Sequence, residues 1–529
     1  MREGRREAFI GLIAPIGVDL DAVSRALVQA LNRVSYKLHE IKLTDIFKEN
    51  PTWYNIEYRD EIERYQKFIR AGDNLCRDSG RKDVLALYGI ASLSRSPERS
   101  LDGPIDTEVI HVFRQLKRPE EIRTLKEVFG RNIVLLGCYS PKVDRINYLM
   151  RKLRANDRGT GKSKLEAKAL TIIATDEDER ENPFGQRVID CFPSADFVLD
   201  CSTHDSLSKS ADRFVNIYFG YPFISPSVDE YCSYVANIAS YRSLDLSRQV
   251  GAAIYGNNCE IISMGCNEVP KAGGGTYWAG GDHDFRDYAL GYDSNQKVRE
   301  DMARDTLVRL QRQNWLAKKF KGIKPDDLVN QALSDDERKS GPLYKSMISD
   351  IIEFGRMVHA EMNALTDAAR FRRSTKDATL YCTTLPCHMC TKLIIASGIK
   401  RVVYIQPYGK SLIEELFPDS VSVEESTDDA KVLYETLKGV TPSGFKIAFH
   451  KSHGRKEKDG TAQNWNPNTA SPTFLSTFPY YMPMEIEAIE YLRLALDEAE
   501  TARSSRPILR KRTRSRASTS RSSRSARTR

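Results

Sequence analysis

The chain has 529 residues, 40% of them hydrophobic, which is enough for ordinary cores in roughly two to four domains. It contains no run of about 18 apolar residues, which excludes a membrane-spanning helix, and the charged start Met1-Arg2-Glu3-Gly4-Arg5-Arg6 is not followed by a signal-peptide pattern. The net charge of +8 belongs to one end: Arg503 to Arg529 holds ten Arg, one Lys and no acid, and setting those eleven charges aside leaves −3 for the body. Ten Cys in so long a chain do not form a disulfide scaffold and fit a reducing cytoplasm.

Arg6 to Ala14 reads as a buried strand, Pro15-Ile16-Gly17 as a turn, Asp19 as the cap of a helix running to about Arg33, and Ser35 to Leu43 as a second strand. Strand, turn, helix and strand is an opening with which α/β proteins bind phosphates. A Gly-x-x-x-x-Gly-Lys-Ser/Thr loop needs its Lys on phosphate and its hydroxyl on Mg²⁺. With the second Gly set on Gly17, Leu12 stands at the first Gly, Val18 at the Lys and Asp19 at the hydroxyl. The reading is a P-loop kinase-like domain with a degenerate loop, in which Gly11 and Gly17 are the candidate nucleotide-binding residues. Gly159-Thr160-Gly161-Lys162-Ser163 imitates the end of that motif, but Asn156 stands at its first Gly and it follows a helix-like stretch, so it reads as a basic loop. Further strands are expected at Val84–Leu87, Glu108–Phe113, Asn132–Cys138, Ala169–Ile173 and Ala195–Leu199, with helices at Arg59–Asp78, Pro119–Phe129 and Gln186–Phe192. This alternation implies a mostly parallel sheet.

Ser225-Pro226-Ser227 punctuates the chain, and Asp229 to Arg242 reads as a helix entering a second domain. The expected division is residues 1–225, residues 226–503 and a tail, 504–529. Gln249–Tyr255 and Glu260–Met264 read as strands paired across Gly256-Asn257-Asn258. Between Pro270 and His359 lies a long insertion, Gly-rich and then charged and helical, of a kind that covers or lines a site. Met357–Arg370 is an expected helix, Ala378–Leu385 and Val402–Ile405 expected strands, Ser420–Thr427 an acidic loop, Gly460–Pro479 a linker or packed meander, and Met484–Ala502 a helix. After Ser504 the chain is mostly Arg, Ser and Thr, too poor in apolar residues to pack, which predicts a disordered basic tail.

The chemistry concentrates in His359-Ala360-Glu361 and Pro386-Cys387-His388-Met389-Cys390. His-x-Glu followed by Pro-Cys-x-x-Cys is the signature of zinc deaminases. Zn²⁺ takes neutral imidazole and thiolate, and a catalytic site keeps three protein ligands and one position for water. His359, Cys387 and Cys390 supply three ligands for one catalytic Zn²⁺ per chain, and Glu361 is left free to move protons. Cys387 and Cys390 fall on one face of a first helical turn, whose dipole favours thiolate. A structural site would want a fourth ligand, and His388, between the two Cys, points elsewhere.

From Ser243 to Lys410 the sequence resembles the deoxycytidylate deaminases of the cytidine-deaminase superfamily. The residues carrying the resemblance are Ser247-Arg248-Gln249-Val250-Gly251-Ala252, Gly265-Cys266-Asn267-Glu268-Val269-Pro270, His359-Ala360-Glu361-Met362-Asn363-Ala364 and Leu385-Pro386-Cys387-His388-Met389-Cys390. Joined to a P-loop-like domain, the whole is similar to bacterial anti-phage deoxycytidine nucleotide deaminases. The resemblance implies a cytidine-deaminase-like three-layer α/β/α second domain and conversion of dCTP or dCMP to dUTP or dUMP, which starves phage replication of dCTP. Asn267 is similar to a family residue that binds sugar or base, and equally reads as a turn Asn. Arg248 is expected to meet a phosphate, and Tyr404 and Lys410 to line the pocket. A homo-oligomer in the cytoplasm is expected, acting on free deoxycytidine nucleotide, with a regulatory nucleotide or small RNA as a further partner. Two other readings compete. One is a polynucleotide deaminase acting on tRNA or single-stranded DNA, aided by the Arg-rich tail. The other is a nucleotide- or RNA-responsive regulatory protein with structural zinc.

Overall fold

The computed structural model describes residues 7–50, 53–54, 56–95, 108–156, 161–179, 182–281, 283–334, 341–344, 346–349, 351, 354–407, 411–424, 430–450, 454–473 and 481–504. It is a mixed α/β protein built on two sheets. The expected tail beyond Ser504 and the candidate Lys410 lie outside the described residues. No helix among the described residues is long and apolar enough to cross a membrane.

The first sheet takes β1 (Ala8–Ile13), β2 (Lys37–Lys42), β3 (Val109–Leu116), β4 (Ile133–Tyr139) and β5 (Phe197–Asp200). The second takes β6 (Gly251–Tyr255), β7 (Ile261–Cys266), β8 (Thr379–Thr384), β9 (Arg401–Gln406), β10 (Val421–Val423) and β11 (Val432–Thr436). β12 (Gly439–Val440) then returns to the first sheet. The orders are β12-β5-β4-β1-β3-β2 and β10-β11-β9-β8-β6-β7. The first sheet is parallel except for β12. In the second, β6 runs antiparallel to β7 and β8, and the remaining pairs are parallel.

β1 is buried on both faces, as a central parallel strand must be. Phe9 and Ile13 pack under helices Val84–Ser94, Pro119–Phe129 and Tyr481–Ser504, while Ala8, Ile10 and Leu12 pack under Leu20–Asn32 and His204–Tyr218. In β6, Ala252 and Ile254 join the layer of helices Ala360–Arg370 and His388–Ala396, and Ala253 and Tyr255 face helix Val228–Ser240. Glycines let both helices reach this sheet. A Cβ on Gly251 would stand 2.0 Å from the Ala236 carbonyl oxygen, and one on Gly265 would stand 2.3 Å from that of Ala360.

Two sheets with helices on both faces match the expected α/β class. Several expected elements are corrected. Val84–Leu87 belongs to a helix, not a strand: the run is apolar on every side because it is buried on every side, and such a run carries no period. Ala169–Ile173 lies inside helix Lys162–Glu177, where Leu165, Ala169, Ile172, Ile173 and Asp176 turn inward at helical spacing. The same helix takes in Lys162 and Ser163 of the expected basic loop. The helix expected over Gln186–Phe192 shrinks to Val188–Cys191. Val421–Val423, expected as loop, is an edge strand pairing with β11. The chain also recrosses position 225, since helix Tyr481–Ser504 packs on the first sheet's helices and the Glu230 carboxylate accepts the Val440 amide of β12 at 2.9 Å.

Candidate metal centre and its cavity

His359 is the N-cap of helix Ala360–Arg370, and Cys387 the N-cap of helix His388–Ala396, with Cys390 in its first turn. The first of these helices therefore begins three residues later than expected, directly after His359. β7 fixes one helix: Glu268 and Val358 exchange backbone hydrogen bonds, and buried Asn363 donates its Nδ2 to the Cys266 carbonyl at 3.0 Å. β8 leads through Thr384, Leu385 and Pro386 to the other. Two helix starts are thus held side by side at one edge of the sheet.

His359 Nδ1 lies 3.4 Å from Cys387 Sγ and 3.3 Å from Cys390 Sγ, and the three candidate donor atoms lie within 4.8 Å of one another. Among the described residues this is the one such trio, and His388 is not part of it. The spacing suits Zn²⁺: bonds of about 2.0 Å to nitrogen and 2.3 Å to sulfur make a tetrahedral N···S edge of about 3.6 Å. The charges suit it too. Hydrogen bonding from Cys390 pulls the Cys387 thiol down to about 4, the His359 imidazolium assisting. Burial opposes a charge on His359, yet the Cys387 thiolate carries its pKa up to about 9. Glu361, two residues past the ligand His359, is buried, and burial first, then the Cys387 charge, raises its pKa.

His359 and Cys387 line a cavity of about 350 Å³, large enough for a small-molecule ligand, with Cys390 buried behind them. Glu361, Arg248 and Asn267 line it, as do Thr384 and Leu385. The Asn267 carboxamide is committed to the chain: its Oδ1 accepts the Val250 amide and its Nδ2 donates to the Arg248 carbonyl, both at 2.7 Å. It thereby fixes the wall that carries Arg248, whose side chain is exposed. Tyr404, expected in the pocket, is not there. It is buried in the second sheet's core, because β9 is an inner strand whose alternate residues are taken up by the helical layers.

The insertion supplies lining residues that sequence reasoning missed. Asp287, Asp293, Ser294, Asn295 and Arg299 face the cavity, the last two one turn apart on helix Ser294–Arg312. Asn295 Oδ1 and Arg299 Nε are buried with no hydrogen-bond partner among the described residues. The one available signal was the Asp293-Ser294 helix start, with Asp293 accepting the Gln296 amide at 2.9 Å.

Gly11 and Gly17 lie in the first sheet's unit, far in sequence from the trio. Gly11 is inside β1, where a Cβ would stand 2.6 Å from Leu135 Cδ2. Gly17 has φ +97 and is pressed against the Arg145 backbone. Asp19 occupies the helix N-terminus that a phosphate would need, accepting the amides of Asp21 and Ala22 at 3.1 and 3.0 Å.

Residues 226–406 match the cytidine and deoxycytidylate deaminase zinc-binding region. That stretch holds the trio, Glu361, Arg248 and Asn267. The chain is similar to the deoxycytidylate deaminase of Saccharomyces cerevisiae, 51% identical over 187 residues, which is 35% of this chain and 40% of that protein. It is 48% identical to the deoxycytidylate deaminase of Enterobacteria phage T4 over 54 residues, 10% of this chain and 28% of the phage protein. It is 37% identical to ComE operon protein 2 of Bacillus subtilis over 83 residues, 14% of this chain and 44% of that protein. These alignments span less than half of each relative. Among solved structures, the dCMP deaminase of cyanophage S-TIM5, in its complex with dCMP and dUMP, is 18% identical with a TM-score of 0.22, covering 41% of this chain and all of that one.

Proposed function

We propose that the chain is a zinc-dependent hydrolytic deaminase of free deoxycytidine nucleotides, taking dCTP or dCMP and water to dUTP or dUMP and ammonia. One observation carries the reading: His359, Cys387 and Cys390 converge within 4.8 Å beside a cavity that His359, Cys387 and Glu361 line. The matched zinc-binding region and the deoxycytidylate deaminases among the relatives support it.

The trio would hold Zn²⁺, which when bound supplies a water acidic enough to lose a proton near neutral pH. Glu361 takes that proton and hands it to N3 of cytosine as the water oxygen adds to C4. It next takes the remaining proton from the hydroxyl now on C4 and delivers it to the C4 amino group; the C4–N bond breaks, ammonia leaves and the C4 carbonyl forms. Burial of Glu361 keeps bulk water from competing for the proton. Arg248, an exposed lining residue, would meet a nucleotide phosphate, and Asn267 bonds the Val250 amide and the Arg248 carbonyl.

The wider reading is a cytoplasmic homo-oligomer with one catalytic Zn²⁺ per chain that depletes dCTP in defence against phage. Its parts are a P-loop kinase-like unit over 1–225, to which β12 and helix Tyr481–Ser504 return, the deaminase within 226–503 and a basic tail over 504–529, with a nucleotide or small RNA as regulator. Assaying ammonia release from dCTP, dCMP, CTP, CMP, tRNA and single-stranded oligonucleotides with zinc present tests it. Turnover of the deoxynucleotides is expected. Turnover of the polynucleotides alone would replace the substrate, and turnover of none would leave zinc a structural role.

A further inference from the structure

A second cavity, of about 340 Å³, lies in the first sheet, where the C-terminal ends of β1, β2 and β3 meet. The chain leaves β1 for helix Leu20–Asn32 on one face and β3 for helix Pro119–Phe129 on the other. Open α/β sheets bind ligands in the crevice formed where connections part in this way.

The crevice is closed to phosphate by the chain's own carboxylates. Asp19 caps the first helix, and Asp21 adds an acid to its first turn. The turn amide of Ile16, which would face an anion, donates to Asp176 Oδ2 at 2.7 Å. Lys117 Nζ meets Asp176 Oδ1 at 2.7 Å and donates to the Ala14 carbonyl at 2.6 Å. Asp176 is fully buried, so helix Lys162–Glu177 has put a carboxylate where a phosphate group would sit. The six cations lining the crevice, Lys42, Lys48, Arg64, Arg114, Lys117 and Arg118, each lie within 4.0 Å of a carboxylate. The least exposed cations among them, Arg114, Lys117 and Arg118, are held by these carboxylates and are not free to turn to a polyanion.

What remains on offer is flat and polar. Tyr58, Tyr65, Phe68 and Tyr148 stand along the wall. The β1–β3 register slips between Gly11 and Ile13, and at the slip Gln115 takes φ +73, a conformation a side-chain-bearing residue rarely adopts. This strained turn sits in the crevice wall, with the Gln115 Oε1 accepting from Thr44 at 3.1 Å. Gln186, which also lines the crevice, is buried, and its Oε1 has no partner among the described residues. Rings and carboxamides together suit the faces and edges of a heterocycle.

We propose that this crevice binds an uncharged planar hydrogen-bonding ligand, a nucleobase or nucleoside, against the aromatic wall and the carboxamides of Gln115 and Gln186, with no contribution from phosphate. The site is separate from the metal centre and stands or falls independently of the deaminase reading.

The test is calorimetric titration of the full zinc-loaded chain with adenosine, guanosine, uridine and thymidine, their free bases and their 5′-triphosphates. Bases compared with nucleosides show which part is held. At least one base or nucleoside should bind, its triphosphate should bind no more than about threefold tighter, and raising the salt should leave the affinity unchanged. Gln186→Ala and Tyr148→Ala should each weaken binding by about tenfold or more while deamination is unchanged. No binding by any base or nucleoside would overturn the proposal. So would a triphosphate binding more than tenfold tighter than its nucleoside, or affinity preserved in both variants.

Discussion

Glu268 and Val358 exchange two backbone hydrogen bonds, each of 3.1 Å, and so pin the residue before His359 to the end of β7. The helix that follows lies directly on that strand at Gly265, where a Cβ would meet the Ala360 carbonyl oxygen at 2.3 Å and the Ala364 amide nitrogen at 2.5 Å. Both neighbours are backbone, so neither can swing aside. Gly265→Ala should therefore displace the helix start that carries His359. A cost of about 1–3 kcal/mol is expected, the usual scale for overpacking. It should appear as a lower melting temperature together with weaker zinc retention against a chelator. An unchanged melting temperature would mean that the helix has room to move.

Cys387→Ser and Cys390→Ser should each lose most of the bound zinc. The trio contains no fourth donor to compensate, and His388 is outside it. Metal analysis of the purified variants checks this, and full retention in both would remove the pair from the site.

The first sheet's unit should not hydrolyse ATP or GTP. Val18 and Asp19 stand where phosphate and Mg²⁺ need Lys and a hydroxyl, and Asp176 fills the anion position beside Ile16 and Lys117. Phosphate release by the full chain with Mg²⁺ should stay at the blank. Turnover that Lys117→Ala abolishes would contradict the structure's reading of this loop.

Much of the metal centre was legible in the sequence because its chemistry fixes both residue types and spacing. The proposed donors His359, Cys387 and Cys390 and the proposed proton carrier Glu361 stand in the spacing that such a site requires. The cavity wall was not legible. Asn295 and Arg299 belong to a charged helix like many others, and only the return of that helix over the metal centre gives them a place. Tyr404 was misplaced because nearness in sequence to Cys387 says nothing about which face of an inner strand is already covered. The strand at β1 and the helix after it were readable from their patterns. Val84–Leu87 was not, since uniform burial erases the period that separates helix from strand.

Asp73 predicts a pH dependence. Burial, opposed by Arg118 and assisted by the nearby Glu179, pushes its pKa up to about 7 from an ordinary value of 3.8. A carboxyl that holds its proton more tightly when folded adds stability that is complete below 3.8 and is lost as pH rises through about 7. Between mildly acidic and mildly alkaline pH, melting of the wild type should fall with pH more steeply than that of Asp73→Asn. Equal slopes would show that Asp73 does not titrate in this window.

Glu361→Ala tests the account most directly. The side chain is buried beside the trio without being one of its donors, so its loss should leave zinc and fold in place while removing the proton carrier. General acid–base catalysis of this kind is typically worth on the order of 10² to 10⁴ in rate. The measurement is deamination of dCTP and dCMP by wild type and variant, alongside zinc content and melting temperature. A loss of that size is expected, with zinc content and melting unchanged. A loss of less than about tenfold with zinc intact would contradict it.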